Sequence, residues 1–302
     1  MATRMLVPLD GSELAEQALP CASMLASGMG ADLVLLRAVS VPPEEQELLT
    51  RAEVRPETPS ASLETEAAGY LQRVASRLHD VGVRAELVVR SGPAAETIVD
   101  YVKQGGIKQI VMATHGYGGI SRWIHGSVAE RVLQTATVPI LLIRAQKEVP
   151  DVAHKPAQCR RILVPLDASA LAEQVLPPVT AVAKALCAEV ILFRVLTLFT
   201  SVSLTGEWHM PLENVVEIAR QDAQQYLARV AEDLQAQGIA VSIDFQIGAV
   251  ANAIIDYADM NSIDLTAMCT HGRTGLARWA LGSVADRVLR AGSTPLLLVR
   301  AR

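Results

Sequence analysis

Residues 112–144 read MATHGYGGISRWIHGSVAERVLQTATVPILLIR, and residues 268–300 read MCTHGRTGLARWALGSVADRVLRAGSTPLLLVR. The two 33-residue stretches are identical at 18 positions and lie at an offset of 156. Outward from them the same offset continues. ETIVDYV at 96–102 lies over NAIIDYA at 252–258, and Tyr70-Leu71 over Tyr226-Leu227. MLVPLD at 5–10 lies over ILVPLD at 162–167, at an offset of 157. A period this long is a duplicated domain rather than a solenoid. The polar, proline-bearing stretch QKEVPDVAHKPAQC at 146–159 has no periodicity and reads as the join. The expected division is domain one at 1–146, a linker at 147–158 and domain two at 159–302.

Each half alternates strand and helix. In the first, the expected strands are Arg4–Leu9, Asp32–Val39, Arg84–Arg90, Gln109–Thr114 and Pro139–Arg144. The expected helices are Ser12–Ser27, Leu63–Val81, Ala94–Gln104 and Ser127–Thr135. The strands are near-continuous Val, Leu and Ile runs, as in parallel sheets covered on both faces. Right-handed crossovers make such a sheet doubly wound. Its ligands sit beyond the carboxyl ends of the strands, where the strand order reverses.

Composition agrees and excludes other classes. The 302 residues are 50% hydrophobic and 4% aromatic, with net charge -5. Two cores of Ala, Val, Leu and Ile are affordable. A general nucleic-acid binder, with a basic surface and stacking aromatics, is not indicated. Cys21, Cys159, Cys187 and Cys269 form no CxxC pair and read as reduced thiols. The N-terminal apolar run breaks at Asp10, and no run of about 20 apolar residues follows, so neither a leader nor a membrane span is expected. The default location is the cytoplasm.

Chemistry is expected in the loops after strands one and four. Strand one ends in Val-Pro-Leu-Asp, placing Pro8 and Asp10, and in the second half Pro165 and Asp167, at the strand terminus. Strand four ends in Met112-Ala113-Thr-His-Gly116, then nine residues, then Gly126-Ser127-Val128. The second half gives Met268-Cys269-Thr-His-Gly272-Arg273 and Gly282-Ser283-Val284. Glycines before a helix start suit close approach of an anion to free N–H groups and the helix dipole. Pure turn and capping chemistry suits the same residues, since Ser127-Val-Ala-Glu130 reads as a capping box and Ser283-Val-Ala-Asp286 as a near version. His115 and His271 read as general bases or phosphate ligands on one side, or as turn-orienting groups on the other, and Trp123 and Trp279 as packing residues or a lid. Neither a Walker A sequence nor GxGxxG follows strand one, and no GxSxG elbow is present.

The Val-Pro-x-Asp strand, the Met-x-Thr-His-Gly turn, the nine-residue spacing to Gly-Ser and the closing VPILLIR strand together resemble the universal stress protein family, twice over. The resemblance implies two five-stranded α/β domains of strand order 3-2-1-4-5. It implies ATP or a related adenine nucleotide, with or without magnesium, in a stress-response sensor or regulator; with no identifiable catalytic base an enzyme is not expected, slow ATP hydrolysis being the alternative left open. In the family's nucleotide-binding branch the pattern is Gly-x2-Gly-x9-Gly-Ser/Thr. Carried over, Gly116, Gly126, Ser127 and Gly272, Gly282, Ser283 hold phosphates, with adjoining backbone at Val128 and Val284. Asp10 and Asp167 contact the nucleoside. The first glycine of that pattern is Ala113 in one half and Cys269 in the other, and the Cys269 side chain is large enough to crowd a phosphate. Ala168 replaces Gly11 in the second half, while Arg273 adds a cation able to pair a phosphate. These departures keep open a nucleotide-free interaction module in which Leu198–Pro211 binds a protein or a small apolar ligand. Val41–Ser60 reads as a mobile loop. Val138–Ile143 and Thr294–Val299 read as apolar edge strands, through which relatives dimerise. The resemblance thus implies a pseudo-dimer of the two halves and leaves room for a homodimer.

Overall fold

The computed structural model describes residues 3–40, 57–114, 127–145, 158–197, 212–270 and 281–301. The chain divides into two compact units, Met1–Ala157 and Gln158–Arg302. In the first, strands β1 (Arg4–Pro8), β2 (Asp32–Val39), β3 (Ala85–Ser91), β4 (Ile107–Thr114) and β5 (Ile140–Arg144) alternate with five helices. These are α1 (Glu13–Glu16), α2 (Leu19–Met29), α3 (Glu57–Asp80), α4 (Ala94–Lys103) and α5 (Ser127–Thr135). The strands are all parallel and ordered β3-β2-β1-β4-β5. The second unit repeats this with β6 (Arg161–Pro165), β7 (Glu189–Leu196), β8 (Val241–Ile247), β9 (Leu265–Cys269) and β10 (Leu296–Val299). Its helices are α6 (Ala170–Glu173), α7 (Leu176–Leu186), α8 (Leu212–Gln235), α9 (Val250–Met260) and α10 (Ser283–Ala291), and its order is β8-β7-β6-β9-β10. The expected doubly wound 3-2-1-4-5 sheet is therefore present in both halves.

The central strands explain themselves by burial. Met5, Leu6 and Val7 of β1, and Ile162, Leu163 and Val164 of β6, are fully covered. A strand covered on both faces has no polar side to alternate with. Right-handed crossovers put α2 and α3 on one face and α4 and α5 on the other. In agreement, α3 packs on β2 and β3, while α4 packs against α5. Ala95, Ile98, Val99 and Val102 form the buried stripe of α4 at one-turn spacing.

Two expected helices differ from their observed forms. Ser12–Ser27 is not continuous: α1 ends at Glu16 and α2 starts at Leu19. Pro20 is the cause, because it has no N–H for the Glu16 carbonyl and its ring clashes there. The chain tightens instead, with Gln17 N–H donating to Leu14 O and Ala18 N–H to Ala15 O. Pro177 repeats the break before α7. The helix expected at Leu63–Val81 starts earlier, at Glu57. Pro59 falls in its first turn, where a missing N–H costs nothing.

The caps of α2 and α7 give a stability prediction. Gly30 closes α2 in the left-handed region (φ 59°, ψ 38°), and Cys187 closes α7 in the same conformation (φ 52°, ψ 39°). A side chain there brings its Cβ close to a carbonyl oxygen. Cys187→Gly is expected to stabilise the chain by about 0.5–1 kcal/mol, net of the entropy glycine gains when unfolded. The check is a higher urea midpoint at unchanged slope.

Candidate functional site

The strand order reverses between β1 and β4, and between β6 and β9. The carboxyl ends of these strands therefore define the crevice. β1 leaves the sheet through half-buried Pro8 and exposed Asp10. Asp10 Oδ1 accepts from the Ser12 N–H at 2.9 Å and the Ser12 hydroxyl at 2.6 Å. Ser12 Oγ in turn accepts the Ala15 N–H at 3.1 Å, capping α1. The second unit reproduces the arrangement, with Asp167, Ser169 and Ala172 at the same three distances. One carboxylate oxygen thus fixes the side chain. No described residue is recorded as a partner of the other oxygen of Asp10. Gly11 takes φ 90° in this turn, and Ala168 takes φ 65°.

At the neighbouring strand end, Met112 and Met268 are buried and Ala113 is half-buried. Cys269 is buried and its thiol donates to the Ala172 carbonyl at 3.5 Å, so the side chain packs against α6. Burial pushes this thiol up to about 12, which keeps it neutral and non-nucleophilic.

Beyond Thr270 the backbone returns at Gly282, whose N–H donates to the Thr270 carbonyl at 2.8 Å. This bond sets the start of α10 directly on the end of β9. Gly282 is the N-cap (φ -60°, ψ 148°), and no side chain caps the helix. The expected capping box at Ser283 does not form, because Ser283 is the first helical residue and is exposed. An N-cap must lie outside the helix for its oxygen to reach back to the N–H groups. The first N–H groups of α10 are therefore left to solvent or a ligand. In the first unit α5 likewise begins at Ser127, followed by half-buried Val128. The expected ligands Gly116, Gly126, Gly272 and Arg273, with His115, His271, Trp123 and Trp279, lie outside the described residues. So do residues 41–56 and Leu198–Pro211, whereas residues 57–60, the end of the expected Val41–Ser60 loop, open α3 instead.

One constellation was not anticipated from sequence. Arg37, near the end of β2, places its guanidinium carbon 5.0 Å from the Tyr70 ring centroid on α3. Arg194 lies 5.4 Å from the Tyr226 ring in the second unit. The Tyr70 and Tyr226 hydroxyls are buried without a hydrogen bond of normal geometry. Burial, and then the Glu16 and Glu173 carboxylates, hold these phenols above their ordinary range. Glu16 is bonded to Arg77 at 2.5 Å and Glu173 to Arg229 at 2.9 Å. The available signal was the recurrence of Arg37 and Arg194 beside the recurrent tyrosines. Among the described residues, no group of three or more His, Cys, Asp or Glu is placed to hold a metal ion. No helix of those residues is long and apolar enough to cross a membrane.

Comparison with known proteins settles the family. The model of the universal stress protein family matches residues 1–144 and again residues 158–300. The chain belongs to the universal stress protein family. Its two matches make it a tandem member. A universal stress protein of Synechocystis, Slr1230, is 22% identical over 98% of this chain and 99% of its own length. Two single-domain relatives each match about half the chain at 29% identity. Universal stress protein MJ0531 of Methanocaldococcus jannaschii is covered over 82% of its length, and YxiE of Bacillus subtilis over 100%. The crystal structure of a universal stress protein from Archaeoglobus fulgidus superposes with a TM-score of 0.72 at 19% identity, covering 99% of both chains. That likeness shares the tandem α/β fold.

Proposed function

We propose that this universal stress protein binds ATP or a related adenine nucleotide at the carboxyl ends of β1 and β4, and of β6 and β9, as a stress-response sensor or regulator. The observation that carries the reading is the uncapped start of α10, held on the end of β9 by the Gly282–Thr270 backbone bond. A nine-residue helix beginning without a side-chain cap offers convergent N–H donors and a positive dipole end to a phosphate. Asp10 and Asp167 are already oriented by one oxygen and accept nucleoside hydroxyls with the carboxylate. Gly116, Gly126, Ser127, Val128, Gly272, Gly282, Ser283 and Val284 hold the phosphates, and Arg273 pairs one of them. Pro8, Pro165, Met112 and Met268 supply apolar contact, and Ala113 and Cys269 line the strand ends. The Cys269 thiol, bonded to Ala172 O, is drawn toward α6 and so leaves room for a phosphate. Magnesium enters with the phosphates as their counter-ion. Binding rather than turnover is the activity proposed, and steady ATP turnover lost on Asp10→Asn and Asp167→Asn would mark a slow ATPase instead. Bound nucleotide biases the conformations available to the protein's partners.

Mass spectrometry of small molecules released on denaturing the purified chain tests this. About two adenine nucleotides per chain are expected, one for each unit. Absence of nucleotide, together with no calorimetric signal on adding ATP and magnesium, overturns the reading.

A further inference from the structure

We propose that Arg37 makes the first unit a receptor for a nucleotide carrying a second phosphate, on the 2′ or 3′ edge of its ribose. The inference rests on Asp10 as the nucleoside anchor. Arg37 is half-buried and held by two contacts. A Cβ on Gly11 would stand 3.0 Å from Arg37 Nη1 and 3.2 Å from both Cζ and Nη2, so the guanidinium lies directly against the glycine backbone. The Tyr70 ring supports it at 5.0 Å. Neither contact uses the N–H donors, and no carboxylate among the described residues pairs with them. A stacked guanidinium with open donors is a preorganised fork for a phosphate.

The strand order says which phosphate. β1, which leads into Asp10, lies between β4 and β2. The 5′-phosphates belong at the start of α5, on the β4 side. Arg37, on β2, lies on the opposite side of Asp10. A ligand reaching both carries two separated anionic groups. A hydroxyl on Asp10 with a phosphate on the adjacent ribose carbon places that second anion at Arg37. The second unit is built differently. Ala168 has a methyl where Gly11 has none, and the Tyr226 ring is shared by Arg194 at 5.4 Å and Arg229 at 5.5 Å.

Calorimetric titration of the full chain with AMP, ATP, adenosine 3′,5′-bisphosphate and adenosine 2′,5′-bisphosphate tests this. At least one bisphosphate is expected to bind about tenfold tighter than AMP, at one site per chain. Arg37→Met keeps the aliphatic stem and should erase that gain, with ATP affinity held within about twofold. Arg37→Lys should retain part of the gain, and Arg194→Met all of it. The proposal is overturned if neither bisphosphate outbinds AMP, or if Arg37→Met keeps the preference. Failure of AMP and ATP to bind at all overturns the nucleotide reading itself, and this inference with it.

Discussion

With Gly126→Asp and Gly282→Asp combined, nucleotide affinity is expected to fall by about a hundredfold or more, while the fold holds. The second half of that expectation comes from the backbone. Gly282 has φ -60° and ψ 148°, which any residue adopts, and it already occupies the N-cap. Aspartate is among the best N-cap residues, so the helix gains an acceptor for its free N–H groups. That acceptor takes the donors offered to phosphate. It also sets a negative charge beside the ligand, a repulsion of about 4 kcal/mol at 4 Å in partly screened surroundings. Each 1.4 kcal/mol is tenfold in affinity. The measurement is calorimetry with ATP alongside a thermal melt. Binding lost with the melting temperature unchanged or raised supports the site. Unchanged affinity in the folded variant removes phosphates from these helix starts.

The largest stability effect is expected from Phe193→Ala. Phe193 is fully buried in β7, between β6 and β8, with its ring centroid 4.4 Å from that of Tyr257 on α9. Truncation leaves a cavity under α9 that neighbouring strands cannot collapse to fill, at a cost of about 3–5 kcal/mol. Unit one holds Leu36 at the equivalent place, 1% exposed. Phe193→Leu is therefore the mild control, at a cost of less than about 1.5 kcal/mol if the site repacks. Urea denaturation followed by far-ultraviolet circular dichroism reads both. A loss below about 1 kcal/mol for the alanine variant would place the second unit's core elsewhere.

The architecture was legible because its signals are local and doubled. Continuous Val, Leu and Ile runs mark β1, β2, β4 and their copies without reference to anything distant. The strand end at Asp10 and a helix start at the Gly282-Ser283 pair were legible for the same reason. What escaped the sequence depends on geometry. Pro20 divides α1 from α2 although the apolar spacing runs through it, because spacing records burial and ignores a missing N–H. Glu57–Ser62 carries no apolar stripe, so periodicity starts α3 at Leu63. Ser283 and Gly282 differ by one position, yet only the dihedral angles say which one caps the helix. Arg37 was invisible as a site residue because its setting depends on Gly11 and Tyr70 converging from separate elements.

The Gly282–Thr270 bond has an evolutionary consequence. It clasps the chain shut at the base of the crevice loop, so the strand end and the helix start stay registered whatever lies between them. Closure entropy grows only slowly with the length so enclosed. Substitutions between these two ends are expected to alter what the crevice binds while leaving the stability of the sheet nearly unchanged.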